Sequence, residues 1–179
     1  MNSPYILDFS WTSKFARFFC IKGCQECCGY TYFLPDELPL LPDFILQNLV
    51  KTSIGTYQTN NNPIDSNRCF FFEKDHHNSY FCSIHANRPL RCRIYPYFPL
   101  IVENKIIITL EPSLKMKNPS KNASLCPGIG RKGMKINNYI KDCIKFLKYC
   151  GRVPQLLETM ILDSEMFNRI RNDRWFIDF

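Results

Sequence analysis

The strongest periodic signal in the chain lies in its last third. Ile136, Tyr139, Ile140, Cys143, Phe146, Leu147 and Cys150 recur at three- and four-residue steps, the apolar stripe of an amphipathic helix. Gly151 is placed to end that helix. Pro154 is placed to open a second, running to about Arg171 with Leu157, Met160, Ile161 and Phe167 as core candidates. Upstream the pattern shortens to strands. Phe98–Val102 and Lys105–Leu110, joined by Glu103-Asn104, predict the best hairpin in the chain. Cys69–Phe72 and Tyr80–Ile84, separated by EKDHHNS, predict another with a polar tip.

The remaining segments are less regular. Tyr30-Thr31-Tyr32-Phe33 has strand chemistry. Leu34-Pro35-Asp36-Glu37-Leu38 reads as a helix start, with an early proline and acids in the first turn. Pro39 and Pro42 prevent one long helix, so a short turn and then a helix near Asp43–Val50 are expected. A helical turn is expected over Asn87–Arg93, starting around Arg88-Pro89. Residues 1–19 carry no clear period and read as an irregular or short helical arm; 51–67 read as an exposed loop or irregular hairpin, and 111–133 as loop.

Composition sets outer bounds. A chain of 179 residues suits one domain with a helical extension. No apolar run approaches the roughly 18 residues of a membrane span, and Asp8, Lys14 and Arg17 interrupt the N-terminal segment where a secretory leader would be apolar. The expected location is therefore cytoplasmic, with no membrane partner. There thiols stay reduced, and clustered cysteines point to metal or redox work more than to disulfides. The formal charge is +7, and nine Lys/Arg face a single acid between Lys115 and Lys148. That bias would attract an anionic partner such as nucleic acid, although metal-bound thiolates would reduce the excess.

Cysteine carries the chemistry. Of ten cysteines, Cys143 and Cys150 fall on the apolar helix stripe, where a thiol packs as a small hydrophobe. Cys20, Cys24, Cys27, Cys28, Cys69, Cys82, Cys92 and Cys126 instead fall in turns, at strand ends and beside polar residues. Spacings of two or three residues, as in Cys20-x3-Cys24-x2-Cys27, let thiolates converge on one centre. Cys27 and Cys28 are adjacent, and neighbouring side chains of an extended chain point opposite ways. Either one of them is not a ligand or they serve two centres, an objection that a larger multi-iron cluster relaxes in part. In the stretch CSIHANRPLRCRIYPY, Cys82-x2-His85 has ligand spacing, and His85 is either a ligand or a hydrogen-bonding neighbour of one. Arg88 and Arg93 are placed to stabilise negative sulfur by charge-assisted hydrogen bonds. His76 and His77 sit in the polar hairpin tip and read as solvated.

The ordered set of motifs resembles the CxxCxxCC family, the zinc- or iron-chelating domain of YkgJ-type cysteine-cluster proteins. The matching residues are Cys20, Cys24, Cys27 and Cys28, then Leu34–Leu38, then Cys69-Phe70-Phe71. They continue through Cys82-x2-His85-x2-Arg88-Pro89-x2-Cys92-Arg93-x-Tyr95-Pro96-Tyr97 and end at Cys126-Pro127-Gly128. The resemblance implies a bound metal, zinc or iron–sulfur. The three-cysteine spacing is also that of radical S-adenosylmethionine enzymes. Against that reading, Glu26 stands where an aromatic is usual, the chain is short for a barrel, and no βα alternation is visible.

These readings set the expectations. The fold class is α+β: a small, irregular, metal-stabilised domain of short hairpins and turns with C-terminal helices. Residues 1–133 form the cysteine-cluster domain and 134–179 a helical extension packed on it. The cofactor is an iron–sulfur cluster of the 4Fe–4S type in a redox or enzyme-supporting role, served by a redox or protein partner. The alternative is zinc in a structural module that mediates protein or nucleic-acid interaction; thiolates suit both metals. No paired carboxylates, phosphate loop or Ser/His/Asp arrangement marks a catalytic set.

Overall fold

The computed structural model of the chain describes residues 6–8, 17–18, 29, 31–63, 65–103, 105–110, 134–135 and 137–172. The C-terminal helix forms where its period predicts it, as Asn137–Cys150 (α3). Tyr139, Cys143, Phe146, Leu147 and Cys150 are buried in one cluster with Leu34, Leu90, Ile94, Tyr97, Ile106 and Ile108. Each fully buried large apolar side chain of this kind contributes about 1.5–3 kcal/mol. The helix ends at Gly151, whose N–H donates to the Leu147 carbonyl at 3.1 Å.

The main sheet grows from the predicted hairpin. Tyr97–Val102 (β8) and Lys105–Leu110 (β9) pair antiparallel from Tyr97↔Leu110 to Val102↔Lys105. Glu103 adopts φ 47° in the turn between them, and its carboxylate accepts a hydrogen bond from the Ser164 hydroxyl. Two short segments complete the edges, and in a separate sheet Arg17–Phe18 (β2) pairs antiparallel with Met134–Lys135 (β10). Ile6–Asp8 (β1) lies parallel to β9, and Ile161–Leu162 (β11) lies parallel to β8. Both depart from expectation. Ile6–Asp8 is a strand and not part of an irregular or helical arm, because an unpaired sheet edge offers hydrogen bonds that local sequence does not announce. The single helix expected from Pro154 to about Arg171 is broken into Pro154–Glu158 (α4), β11 and Ser164–Asn172 (α5). Met160 is buried, and its carbonyl accepts the Ile101 N–H at 2.8 Å. Docking on β8 thus outweighs helix continuation. Ile161, expected in the core, is 50% exposed at that edge.

A second, smaller layer surrounds Phe33, Ile45, Cys69, Phe71 and Ile84. Tyr32–Phe33 (β3), Leu49–Lys51 (β4) and Tyr57–Thr59 (β5) form a sheet in the order β3-β5-β4. The helix expected over Asp43–Val50 therefore stops at Leu46 (α1, Asp43–Leu46), and Leu49–Lys51 pairs with Tyr57–Thr59. Their turn needs a positive φ, supplied by Gly55 at 89°. The cysteine-bearing hairpin consists of Phe72–Lys74 (β6) and Tyr80–Cys82 (β7). Its first strand starts at Phe72 and not at Cys69. Asp75 Oδ1 shapes the tip by accepting the His77 and Ser79 N–H groups at 2.9 and 2.8 Å. The assembly is α+β: small sheets, short hairpins and turns, with helices at the C-terminal side.

Glu37 joins two distant segments of the main core. It sits in a 3-10 turn, Pro35–Leu40, that contains Pro39. Its buried carboxylate accepts the Leu34 N–H at 2.9 Å and, 53 residues away, the Leu90 N–H at 2.7 Å. Leu90 opens the helix Leu90–Ile94 (α2). Burial raises the Glu37 pKa above its ordinary 4.5, against the two amide hydrogen bonds and the charges of Arg93 and Lys145. The folded state therefore holds this proton to higher pH than the unfolded chain. Glu37's contribution to stability is full below the unfolded value and declines as pH rises through the folded one. Glu37→Gln leaves one of the two N–H groups without an oxygen acceptor, and should cost about 1–3 kcal/mol in urea unfolding. In the acid window just above 4.5, wild-type stability should fall with rising pH relative to Glu37→Gln. Parallel curves for the two proteins would contradict the assignment.

Candidate metal centre

Of the eight candidate ligands, Cys69, Cys82 and Cys92 lie among the described residues, whereas Cys20, Cys24, Cys27, Cys28 and Cys126 lie outside them. Cys69 is buried just before β6. The turn that carries it is organised by Asn62, whose Nδ2 faces the carbonyls of Cys69, Phe70 and Phe72 at 3.0, 3.3 and 2.7 Å. Asn62 Oδ1 accepts the Asp65 N–H at 3.2 Å. Two donors reach the Cys69 sulfur, the Phe71 amide and the Thr59 side chain, and both favour thiolate. Burial is the larger effect and raises the thiol's pKa above 9.0. Cys82 pairs with Phe72 across the hairpin and packs, half-buried, on the cluster that contains Cys69.

Cys92 approaches from a different element. Pro89 caps α2, and the Cys92 N–H donates to the Pro89 carbonyl at 2.9 Å. The Cys92 sulfur lies 3.1 Å from the Thr31 hydroxyl. Thr31 follows Cys28 by three residues. A Cβ on Gly29, which adjoins Cys28, would lie 4.0 Å from the carbonyl oxygen of Asn67, two residues before Cys69. The chain leaving the four-cysteine run is therefore set against both the Cys69 turn and Cys92.

The flanking basic residues are placed as follows. Arg93 is ion-paired with Asp142 of α3 at 2.7 Å, and its Nε has no hydrogen-bond partner among the described residues. Arg91 lies over the Phe98 ring at 5.0 Å. Arg88 is half-buried; its charge, followed by partial burial, lowers the pKa of exposed His85 below 6.5. His76 and His77 are exposed at the hairpin tip.

Cys143 and Cys150 belong to the core. Both are fully buried on α3. Burial, then the Asp142 charge, pushes the Cys143 thiol up to about 12. Cys150 is also pushed up to about 12, by burial and then by the Glu37 charge, with Arg91 opposing.

Sequence reasoning missed four residues around the cysteines. Glu37 was legible only as a first-turn acid. Asn62, in an Asn-Pro stretch, carried a turn signal but no sign of burial. Thr31 is read only as part of a strand, and Thr59 carries no signal. Among the described residues, no three His, Cys, Asp or Glu side chains come together to hold a metal ion. The donor chemistry nevertheless fits zinc or iron. Cys69 and Cys92 offer soft sulfur, and each sulfur has a threonine hydroxyl beside it.

The chain belongs to the CxxCxxCC family, described as "Putative zinc- or iron-chelating domain", which it matches over residues 19–127, more than half its length. Family membership supports metal binding by this chain. No curated protein and no solved structure matches it.

The two classes of thiol should separate by reactivity. At about pH 8 the thiolate is the reactive form, so Cys143 and Cys150 should resist iodoacetamide in the native protein and react once denaturant is added. Peptide mass spectrometry reads the difference, and native alkylation of either would remove it from the core class.

Proposed function

We propose that the protein carries an iron–sulfur cluster of the 4Fe–4S type in a redox or enzyme-supporting role. Its ligands are drawn from Cys20, Cys24, Cys27, Cys28, Cys69, Cys82, Cys92 and Cys126. The observation that carries the reading is the set of hydrogen-bonding groups at candidate sulfurs: the Thr31 hydroxyl at Cys92, and the Phe71 amide and Thr59 side chain at Cys69. Such donors stabilise negative sulfur and set a cluster's potential. Eight thiols exceed the four that one structural zinc takes, and the adjacent Cys27-Cys28 pair suits a larger cluster or two centres. When bound, the cluster would accept and release single electrons. The chain's own residues hold the thiolates in place and limit access by water, through Phe33, Phe71 and Ile84 on the Cys69 side. His85, Arg88 and Arg93 flank the ligands. The surrounding α3 and α4 act as a buttress to the cysteine-bearing region. A reducing, cytoplasmic setting would keep the thiols available; among the described residues, no helix is long and apolar enough to cross a membrane.

A second reading, a structural zinc module that presents a basic face to a protein or nucleic-acid partner, is favoured by α3. Lys141 and Lys148 are exposed on the side away from the core, and Lys145 lies 5.3 Å from the Tyr149 ring centroid.

Anaerobic purification of the full chain, with metal and acid-labile sulfide analysis and a visible spectrum, decides between them. A brown protein containing iron and sulfide is expected; stoichiometric zinc without colour would overturn the cluster in favour of the zinc module. Cys92→Ser should lower metal per chain while Cys143→Ala leaves it unchanged. Metal loss in Cys143→Ala would move that thiol into the ligand set.

A further inference from the structure

We propose that the Thr31 hydroxyl is the donor that orients and tunes the Cys92 thiolate, making Thr31 a positioning residue of the metal centre. The inference rests on Cys92 being a ligand, as the proposed function has it. Thr31 is 6% exposed, and a hydroxyl buried to that degree requires a partner. Its partner is the Cys92 sulfur, 3.1 Å away and 61 residues distant in sequence.

In the metal-free hydroxyl–thiol pair either atom can donate. Once Cys92 binds metal its sulfur carries no proton, so the direction is fixed and Thr31 O–H donates. A hydrogen bond to a charged acceptor is roughly twice as strong as a neutral one. It draws electron density from sulfur, weakening sulfur-to-metal donation and raising the potential of an iron centre.

The backbone holds this contact from both sides. Glu37 Oε2 binds the N–H of Leu34, three residues after Thr31, and Oε1 binds the N–H of Leu90, two residues before Cys92. One carboxylate therefore fixes the spacing of the segments that carry the hydroxyl and the sulfur. Thr59 stands in the same relation to Cys69, so a buried threonine beside a candidate sulfur occurs twice.

The test uses the full chain purified with its metal. Thr31→Val keeps the side-chain shape and removes the donor, Thr31→Ala is a second donor-less variant, and Thr31→Ser keeps the donor. The readouts are the sulfur-to-metal charge-transfer band, recorded on the iron form or after Co²⁺ replacement of zinc, and metal retention against EDTA. Circular dichroism confirms the fold of each variant. Thr31→Val and Thr31→Ala should move the band to longer wavelength, because sulfur donation strengthens, yet retain metal about tenfold less tightly, because the sulfur is no longer held in place, whereas Thr31→Ser should resemble wild type. If both donor-less variants keep the wild-type band and retention while Cys92→Ser strips metal, the role of Thr31 is overturned alone. Wild-type protein that holds no metal overturns the metal reading, and this inference with it.

Discussion

The two oxygens of the Glu37 carboxylate accept the N–H groups of Leu34 and Leu90, and this shared acceptor ties the segment that follows the four-cysteine run to the helix that carries Cys92. A buried carboxylate without such donors would be costly. Here the two amides, with the Arg93 and Lys145 charges nearby, offset part of the desolvation. The consequence is geometric. The segment leaving the four-cysteine run and the helix that carries Cys92 are held in one relative position, and α2 is in turn joined to α3 through Arg93 and Asp142.

The ten cysteines divide by environment more than by spacing. Cys143 and Cys150 have apolar neighbours on α3, and burial holds them protonated. Cys69 is also buried, yet an amide and a threonine side chain reach its sulfur. Cys92 is half-buried and meets a threonine hydroxyl. A hydrogen-bonding group beside the sulfur thus marks Cys69 and Cys92 among the described candidate ligands. Cys69 packs in the smaller cluster around Phe33 and Phe71, whereas the helix that carries Cys92 contributes Leu90 and Ile94 to the α3-centred core.

Elements with local order were readable in advance. The α3 stripe and the β8–β9 hairpin formed at nearly the residues expected, since 3.6- and 2-residue periods are properties of contiguous sequence. The hairpin of β6 and β7 was readable in kind but shifted in its first strand, because Asp75 and the Asn62-bound turn before Phe72 decide where pairing begins. Ile6–Asp8 and Ile161–Leu162 were not readable as strands. Each is recruited by an open edge of the main sheet, and backbone hydrogen bonding to a distant edge leaves little trace in side-chain pattern.

The sequence by itself determined the family, the thiol-rich donor set with its soft-metal chemistry, the α+β class and the amphipathic helix that places Cys143 and Cys150 in the core. These follow from residue type, spacing and period, which are local quantities. Only the tertiary structure decided that Thr31 faces Cys92, that Asn62 shapes the Cys69 turn and that Glu37 joins Leu34 to Leu90. A threonine, an asparagine and a glutamate are ordinary surface residues in sequence. Burial beside a specific partner gives them their roles, and partners up to 61 residues away meet only when the chain folds.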